Sequence, residues 1–245
     1  MAYSFESLMN KKLSAKINCI YKITAVFLLI AVINGGQVCH AVQSRISSPE
    51  QSTSNANLNE LEQLIGNAKD IYERIEVNHW RHLDKKLSSI VKIEQFLPSV
   101  TSENDMPYYK NLMGVTSELE RAIVSQDRIV AMKSANKVMI LGARLAEAHN
   151  SHVPINVAVI AYCGRKLEIL SETENVLDLS DTVAKLHLSW QQLIPLVSAN
   201  GGIKEIKRFA EIMKRLESAK TPDEYGRLAS SVVEEIDIIE KIFKK

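Results

Sequence analysis

The stretch Leu58-Asn-Glu-Leu-Glu-Gln-Leu-Ile-Gly-Asn-Ala-Lys-Asp-Ile-Tyr72 carries apolar residues at intervals of three and four. This spacing puts them on one face of an α-helix, and the same spacing continues as far as Ile90. Similar spacing recurs along the rest of the chain, while the alternation of apolar and polar residues that is typical of β-strands is missing from the sequence. The sequence therefore predicts an all-α protein.

Proline- and glycine-containing turns divide the helical part of the sequence into four segments of similar length. The segments are residues 58–97, 108–149, 154–197 and 202–243. As continuous helices, each would be about 60–65 Å long at ~1.5 Å per residue. Four equal segments joined by short turns predict an antiparallel up-down-up-down four-helix bundle.

The fourth segment is interrupted near residue 220. Thr221-Pro-Asp-Glu224 has the pattern of a capping box with proline in the first helical turn, so a helix is expected to start there. A hairpin at this point would leave half of each of three long helices without a partner. We therefore expect a kinked fourth helix, with a hairpin as the alternative.

Residues 1–41 have the layout of a secretory signal peptide. Four lysines precede the apolar run Ile23–Ile33, and a short polar tail follows as far as Ala41. The apolar run is shorter than the ~20 residues that cross a bilayer. The sequence predicts export and cleavage after Ala41, giving a periplasmic or secreted protein; the alternative is an uncleaved inner-membrane anchor at residues 17–33.

Composition after residue 41 predicts a spacer followed by one folded domain without a disulfide. Residues 42–57 are polar and contain a proline, so they are expected to be a disordered spacer before the domain at 58–245. Cys163 is the single cysteine left after the leader, and we expect a buried apolar thiol there; an intermolecular bridge or a reactive thiol is the alternative.

The charge balance of the exported part argues against a nucleic-acid partner. Of the 30 basic and 29 acidic residues in the chain, four basic and one acidic residue lie in the leader, so the remainder has a net charge of about −2. No long basic run occurs in that remainder, whereas nucleic-acid binding needs a positively charged patch. Membrane contact is expected only through the N-terminal segment.

A metal site is one possible use of the polar residues near the middle of the four segments. Glu76-Val-Asn-His79 puts a carboxylate and an imidazole on one helix face, as in di-iron bundles, but no second copy of the motif completes such a centre. Counting along the segments places Glu76, His79, Arg128, Glu174 and Asp223 at one level. These residues are expected to form a solvated or ion-paired layer; alternatively, Glu76, His79, Glu174 and Asp223 hold one transition-metal ion or a small polar ligand.

The sequence contains no catalytic motif that we can identify. A glycine-rich phosphate loop, His-Glu-x-x-His and Gly-x-Ser-x-Gly are all missing, so no catalytic residues are predicted and a non-enzymatic protein is expected.

Asn136 falls on an apolar helix face, where we expect it to fix helix register rather than hold a ligand. The leading hypothesis is a bacterial envelope protein that binds a protein or small-ligand partner, or acts as a scaffold. The alternative is a metal- or cofactor-binding bundle.

Overall fold

The computed structural model describes residues 49–149, 151–173 and 176–244, and this part of the chain is all-α, as predicted. It contains helices and turns but no strand. The eight α-helices in these ranges are α1 Pro49–Glu76, α2 Leu83–Phe96, α3 Met106–Ser125, α4 Arg128–Glu147, α5 Ile155–Glu172, α6 Val176–Ala199, α7 Ile203–Ser218 and α8 Pro222–Phe243.

The eight helices form two consecutive bundles of four. Helices α1–α4 surround one hydrophobic core, and helices α5–α8 surround a second core. In each bundle the first helix also packs against the last, α1 against α4 and α5 against α8, which closes the ring. A side-chain contact crosses each of the four helical hairpins: Asp70–Lys86, Glu118–Ser134, Asn156–Gln192 and Arg208–Glu235.

The prediction of four long helices, with a break only in the fourth, is wrong. Each predicted segment contains two helices that fold back on each other. The first segment turns between Asn78 and His82, which both have positive φ, and the second turns at Gln126, which also has positive φ. Asp127 then starts α4 by accepting a hydrogen bond of 3.1 Å from the backbone N–H of Val130.

The fourth segment is therefore a hairpin rather than a kinked helix. Thr221 caps α8 through the predicted capping box with Glu224. A hairpin in the fourth segment alone would leave parts of three long helices without partners. Because all four segments fold back, each half-length helix has neighbours within its own bundle.

The N-terminal boundary also differs from the prediction. Helix α1 begins at Pro49, so the expected disordered spacer at residues 42–57 is corrected to helix over residues 49–57. The predicted signal peptide, residues 1–41, lies outside the described residues. None of the helices in the described ranges has the length and hydrophobicity of a membrane span.

Glycines allow the first and last helices of each bundle to approach closely. A Cβ atom on Gly164 of α5 would lie 2.9 Å from Val233 Cγ2 on α8, and one on Gly142 of α4 would lie 2.9 Å from Ile65 Cγ1 on α1. Cys163, beside Gly164, is buried and free, as expected. Helix α4 packs against α5 and so joins the two bundles.

Candidate functional site

A cavity of about 280 Å³ lies where the two bundles meet. It is bounded by α1 and α4 of the first bundle and by α5 and α8 of the second, and we call it the central cavity. Small and aliphatic side chains form most of its wall, and these include Ala143, Ala146, Ala158, Ala161, Met139 and Ile236. The alanines explain the space, because longer side chains at those positions would fill it.

The chain arrangement around the central cavity also leaves it open. Helices α1 and α8 face each other across it without close backbone contact, although each packs tightly against its own partner helix. Their link at the rim is an ion pair of 2.5 Å between Lys69 Nζ and Asp237 Oδ2, both partly exposed. Glu62, Glu240 and Lys244 add further charges to the rim. The cavity thus combines an apolar wall with a charged entrance.

One wall of the central cavity carries a buried arginine. Arg165 of α5 is only 5 % exposed, and its guanidinium carbon lies 5.7 Å from the centroid of the Tyr72 ring. Within the described ranges, its guanidinium makes no ion pair and no hydrogen bond. Its nitrogens keep some accessible surface, because none of them is among the enclosed side-chain atoms without a partner, and the aromatic face replaces only part of the hydration that the charge has lost. The cavity wall therefore offers an unpaired positive charge.

A second polar group in this wall is Asn136 of α4. Its side chain is 2 % exposed, and Nδ2 donates a hydrogen bond of 3.0 Å to the backbone carbonyl of Tyr162 on α5. This bond ties α4 to α5 and agrees with the expected register role. The amide oxygen Oδ1, however, is buried without a hydrogen-bond partner among the described atoms. An unsatisfied buried acceptor costs about 1–3 kcal/mol, and this oxygen is enclosed by protein atoms.

A polar junction beside the cavity connects α1, α4 and α5. Tyr72 donates a hydrogen bond of 2.7 Å to Glu168 Oε2, and its hydroxyl also lies 3.3 Å from the backbone oxygen of Arg165. Arg128 forms an ion pair with Glu172 and donates a 3.1 Å hydrogen bond to the backbone carbonyl of Glu76.

The junction changes the proton affinity of its buried members. Burial is the main cause that raises the pKa of Glu168 to about 7, and the neighbouring carboxylates of Glu76 and Glu172 act in the same direction. The hydrogen bond from Tyr72 opposes this rise. Burial, together with the Glu168 charge, raises the pKa of the Tyr72 hydroxyl above its ordinary value. Tyr72 therefore stays protonated and is the hydrogen-bond donor at physiological pH.

The predicted metal ligands occupy different parts of the structure. Glu76 ends α1, His79 lies in the turn that follows, and Asp223 lies in the first turn of α8; all three are exposed. Glu174 falls outside the described residues. In the described part of the chain, no group of three or more His, Cys, Asp or Glu side chains is arranged to hold a metal ion. The metal site therefore stays a prediction, which Zn²⁺ titration of the wild type and His79→Ala would test.

Of the residues expected to lie at one level, the structure brings Glu76 and Arg128 together, although Glu172 is the carboxylate that pairs with Arg128.

Arg165 was not predicted as a site residue, although the sequence contains a signal for it. Arg165 lies in Val157–Leu170, which is a largely apolar stretch of sequence. An arginine in such a stretch has to be paired, exposed or functional. The central cavity itself had no sequence signal, because it depends on how distant helices pack.

Comparison with known proteins gives no relative from which a function could be transferred: the chain matches no family model, no curated protein and no solved structure.

Proposed function

We propose that this chain is an exported, non-enzymatic helical-bundle protein that binds a small, largely apolar molecule in the central cavity. The observation that carries the proposal is the cavity of about 280 Å³, with its mostly apolar wall and its charged entrance. Small-molecule sites in proteins are typically concave and mostly apolar, with polar groups that orient the ligand. At roughly 30 Å³ per water molecule, the volume suits a ligand of about ten non-hydrogen atoms.

The position of the cavity also favours binding over a purely structural role. Well-packed protein interiors rarely leave spaces larger than a water molecule. Here the space lies between two bundles, each built around its own core. A bound molecule would contact α1, α4, α5 and α8 together and would stabilise the junction between the bundles.

Thermal unfolding of the full-length chain tests the proposal. The probe is octanamide, a neutral molecule with an apolar tail of suitable size. Because a ligand that binds only the folded state stabilises it by mass action, saturating octanamide should raise Tm by several degrees. Ala158→Leu, which extends a side chain from α5 into the cavity, should abolish the rise. Ala210→Leu on the exposed side of α7 is the matched control and should keep it.

The export part of the proposal is supported by the layout of residues 1–41. Expression of the full-length chain in a Gram-negative host should yield a periplasmic protein whose first residue is Val42, as read by N-terminal sequencing. An intact chain in the membrane fraction would favour the anchor at residues 17–33 instead. An intact chain in the cytosol would contradict export.

A further inference from the structure

We infer that the ligand of the central cavity is a medium-chain monocarboxylate, an aliphatic chain whose carboxylate head pairs with the guanidinium of Arg165. This inference rests on the proposed function and names the ligand class for the same cavity. It follows from the state of Arg165 and from the way charges are distributed over the two ends of the cavity wall.

The guanidinium of Arg165 has lost most of its contact with water without gaining an anion. The residue is 5 % exposed and bounds the cavity, and over the described ranges its side chain makes no ion pair. Its nitrogens are nevertheless not enclosed, since the enclosed side-chain atoms without a partner in those ranges belong to other residues. A molecule in the cavity can therefore reach this fork of N–H donors, which fits both oxygens of a carboxylate.

Glu168 does not replace the missing anion. Its carboxylate accepts the hydrogen bond of 2.7 Å from Tyr72, whereas Arg165 contacts the ring of that tyrosine and forms no ion pair with Glu168. Burial raises the pKa of Glu168 to about 7, so roughly half of these carboxyls are uncharged near neutral pH. The guanidinium is thus held from one side by an aromatic ring and still lacks a full counter-charge.

The end of the cavity at Arg165 carries an excess of positive charge. The α5 residues of the wall run from Ile155 to Arg165, so the cavity extends along this helix and Arg165 marks one end of it. Tyr72, which Arg165 contacts, lies about one helical turn beyond Lys69 on α1. The ion pair between Lys69 and Asp237 is therefore at the same end. Because those two charges compensate each other, the guanidinium is the excess charge of the wall there.

The other end of the wall carries more carboxylates than cations. Glu62 and Lys244 lie beside Pro154, which precedes α5, and Lys244 pairs with Glu240. Glu147, at the end of α4, is a further carboxylate of the wall and pairs with an arginine outside it. Like charge disfavours a carboxylate head at this end, so the wall orients an amphipathic anion with its head towards the guanidinium.

The rest of the wall defines the number of charges and the chain of the ligand. One unpaired cation matches one negative charge, whereas a phosphate monoester brings about −1.5 to −2 near neutral pH and would leave part of its charge buried without a partner. Ala143, Ala158 and Ala161 leave apolar space for an unbranched chain, and its burial supplies most of the binding free energy.

Calorimetric titration of the full-length chain with three probes tests the assignment. The probes are octanamide, octanoate and octanedioate, which have the same number of carbon atoms and carry no, one and two negative charges. The wild type should bind octanoate at least tenfold more tightly than octanamide, because only octanoate pairs with Arg165. It should bind octanedioate at least tenfold more weakly than octanoate, because the second carboxylate would lie against the apolar wall on the side of the acidic end.

Salt distinguishes the buried guanidinium from the exposed charges of the rim. At ~1 M salt, interactions between exposed charges are screened within about 3 Å, while a buried pair is screened much less. The preference of the wild type for octanoate over octanamide should therefore change by less than threefold between low and high salt. Loss of the preference at high salt would place the head group at the rim and overturn the assignment.

Substitution of Arg165 locates the head group. Arg165→Met and Arg165→Gln should each bring the affinities for octanoate and octanamide to within about twofold of each other. Lys166→Met is the matched control, because it removes the same charge from the next residue of α5, which is not part of the cavity wall. This control should retain the preference of the wild type.

The outcomes distinguish this inference from the function on which it rests. If the wild type binds octanamide and octanoate equally, or octanedioate as tightly as octanoate, or if the preference survives substitution of Arg165, the monocarboxylate assignment is overturned while the cavity remains a binding site. If none of the three probes binds, the proposed function itself is overturned. Circular dichroism shows whether each variant is folded, and the comparison of the three probes on the wild type decides the assignment if neither variant of Arg165 folds.

Discussion

The hydroxyl of Tyr72 donates a hydrogen bond of 2.7 Å to the carboxylate of Glu168, and so connects α1 of the first bundle to α5 of the second. The same tyrosine ring lies beneath the guanidinium of Arg165. Tyr72 therefore belongs to the polar junction and also contacts Arg165, a residue of the cavity wall. This arrangement couples the contact between the two bundles to the position of Arg165 in the cavity wall.

Stability should fall as the pH rises through neutrality because of Glu168. The pKa of this carboxyl is raised from 4.5 in the unfolded chain to about 7 in the fold, mainly by burial. The folded state therefore holds the proton more tightly. The stability that this tighter proton binding contributes is complete below pH ~4.5 and is lost as the pH rises past ~7. At pH 8, Glu168→Gln should increase the free energy of unfolding by about 1 kcal/mol, a figure reduced for partial exposure.

The control for this prediction is the same comparison at pH 4.5. There the wild-type carboxyl is protonated in the fold and about half protonated in the unfolded chain, so urea unfolding of wild type and Glu168→Gln should give similar free energies. A difference between the two proteins that does not change with pH would show that proton binding at Glu168 is not its cause.

Trp190 should be a major contributor to the core of the second bundle. Its ring is 4 % exposed and lies 4.3 Å from the ring of Phe209, between α6 and α7. Trp190→Ala should lower the free energy of unfolding by about 3–5 kcal/mol, since it removes a large buried side chain and leaves a cavity. Leu177→Ala on the same helix is the control, because Leu177 is 84 % exposed and should change stability by less than ~0.5 kcal/mol. Equal effects of the two substitutions would contradict the placement of α6.

The two glycines Gly164 and Gly114 should respond oppositely to alanine. At Gly164 the added methyl would lie 2.9–3.0 Å from valine side chains of α8, so Gly164→Ala should destabilise the protein by about 1–3 kcal/mol. At Gly114, in the middle of α3, the same methyl meets open space, and Gly114→Ala should stabilise by about 0.5–1 kcal/mol. Urea denaturation of both variants measures the difference. A stabilising Gly164→Ala would mean that α5 and α8 are not in close contact.

Cys163 should react slowly with alkylating agents in the native protein. It is fully buried, and burial raises the pKa of its thiol to about 11, so little of the reactive thiolate is present at pH 8. Mass spectrometry after iodoacetamide treatment should find the peptide that contains Cys163 unmodified, and modified once guanidinium is added. Rapid native labelling would place this thiol at an accessible surface.

The helix faces were predictable from the sequence, but the chain reversals were not. Leu61, Ala68 and Ile75 lie in the core as their spacing predicted, because burial of one apolar stripe is a local property of a helix. The reversals at His82 and Gln126 use positive φ at residues other than glycine, so the usual glycine and proline signals were missing. The equal lengths of the four segments then favoured long helices over hairpins.

The candidate site was predictable only in part. The sequence singled out Asn136 as a polar residue on an apolar face, and its hydrogen bond to Tyr162 agrees with the role expected for it. The unsatisfied Oδ1 atom of Asn136 and the position of Arg165 in the cavity wall depend on how α4 and α5 pack side by side. Sequence spacing describes one helix at a time, whereas a cavity among four helices depends on contacts between distant parts of the chain.

Calorimetric titration of octanoate into Ala158→Leu, with wild type and Ala210→Leu alongside, is the most direct test of the central cavity as a binding site. We expect the wild type and Ala210→Leu to bind one octanoate per chain with equal affinity, and Ala158→Leu, with its cavity filled, to bind none. Wild-type affinity retained in Ala158→Leu, or no saturable binding to the wild type, would contradict the account.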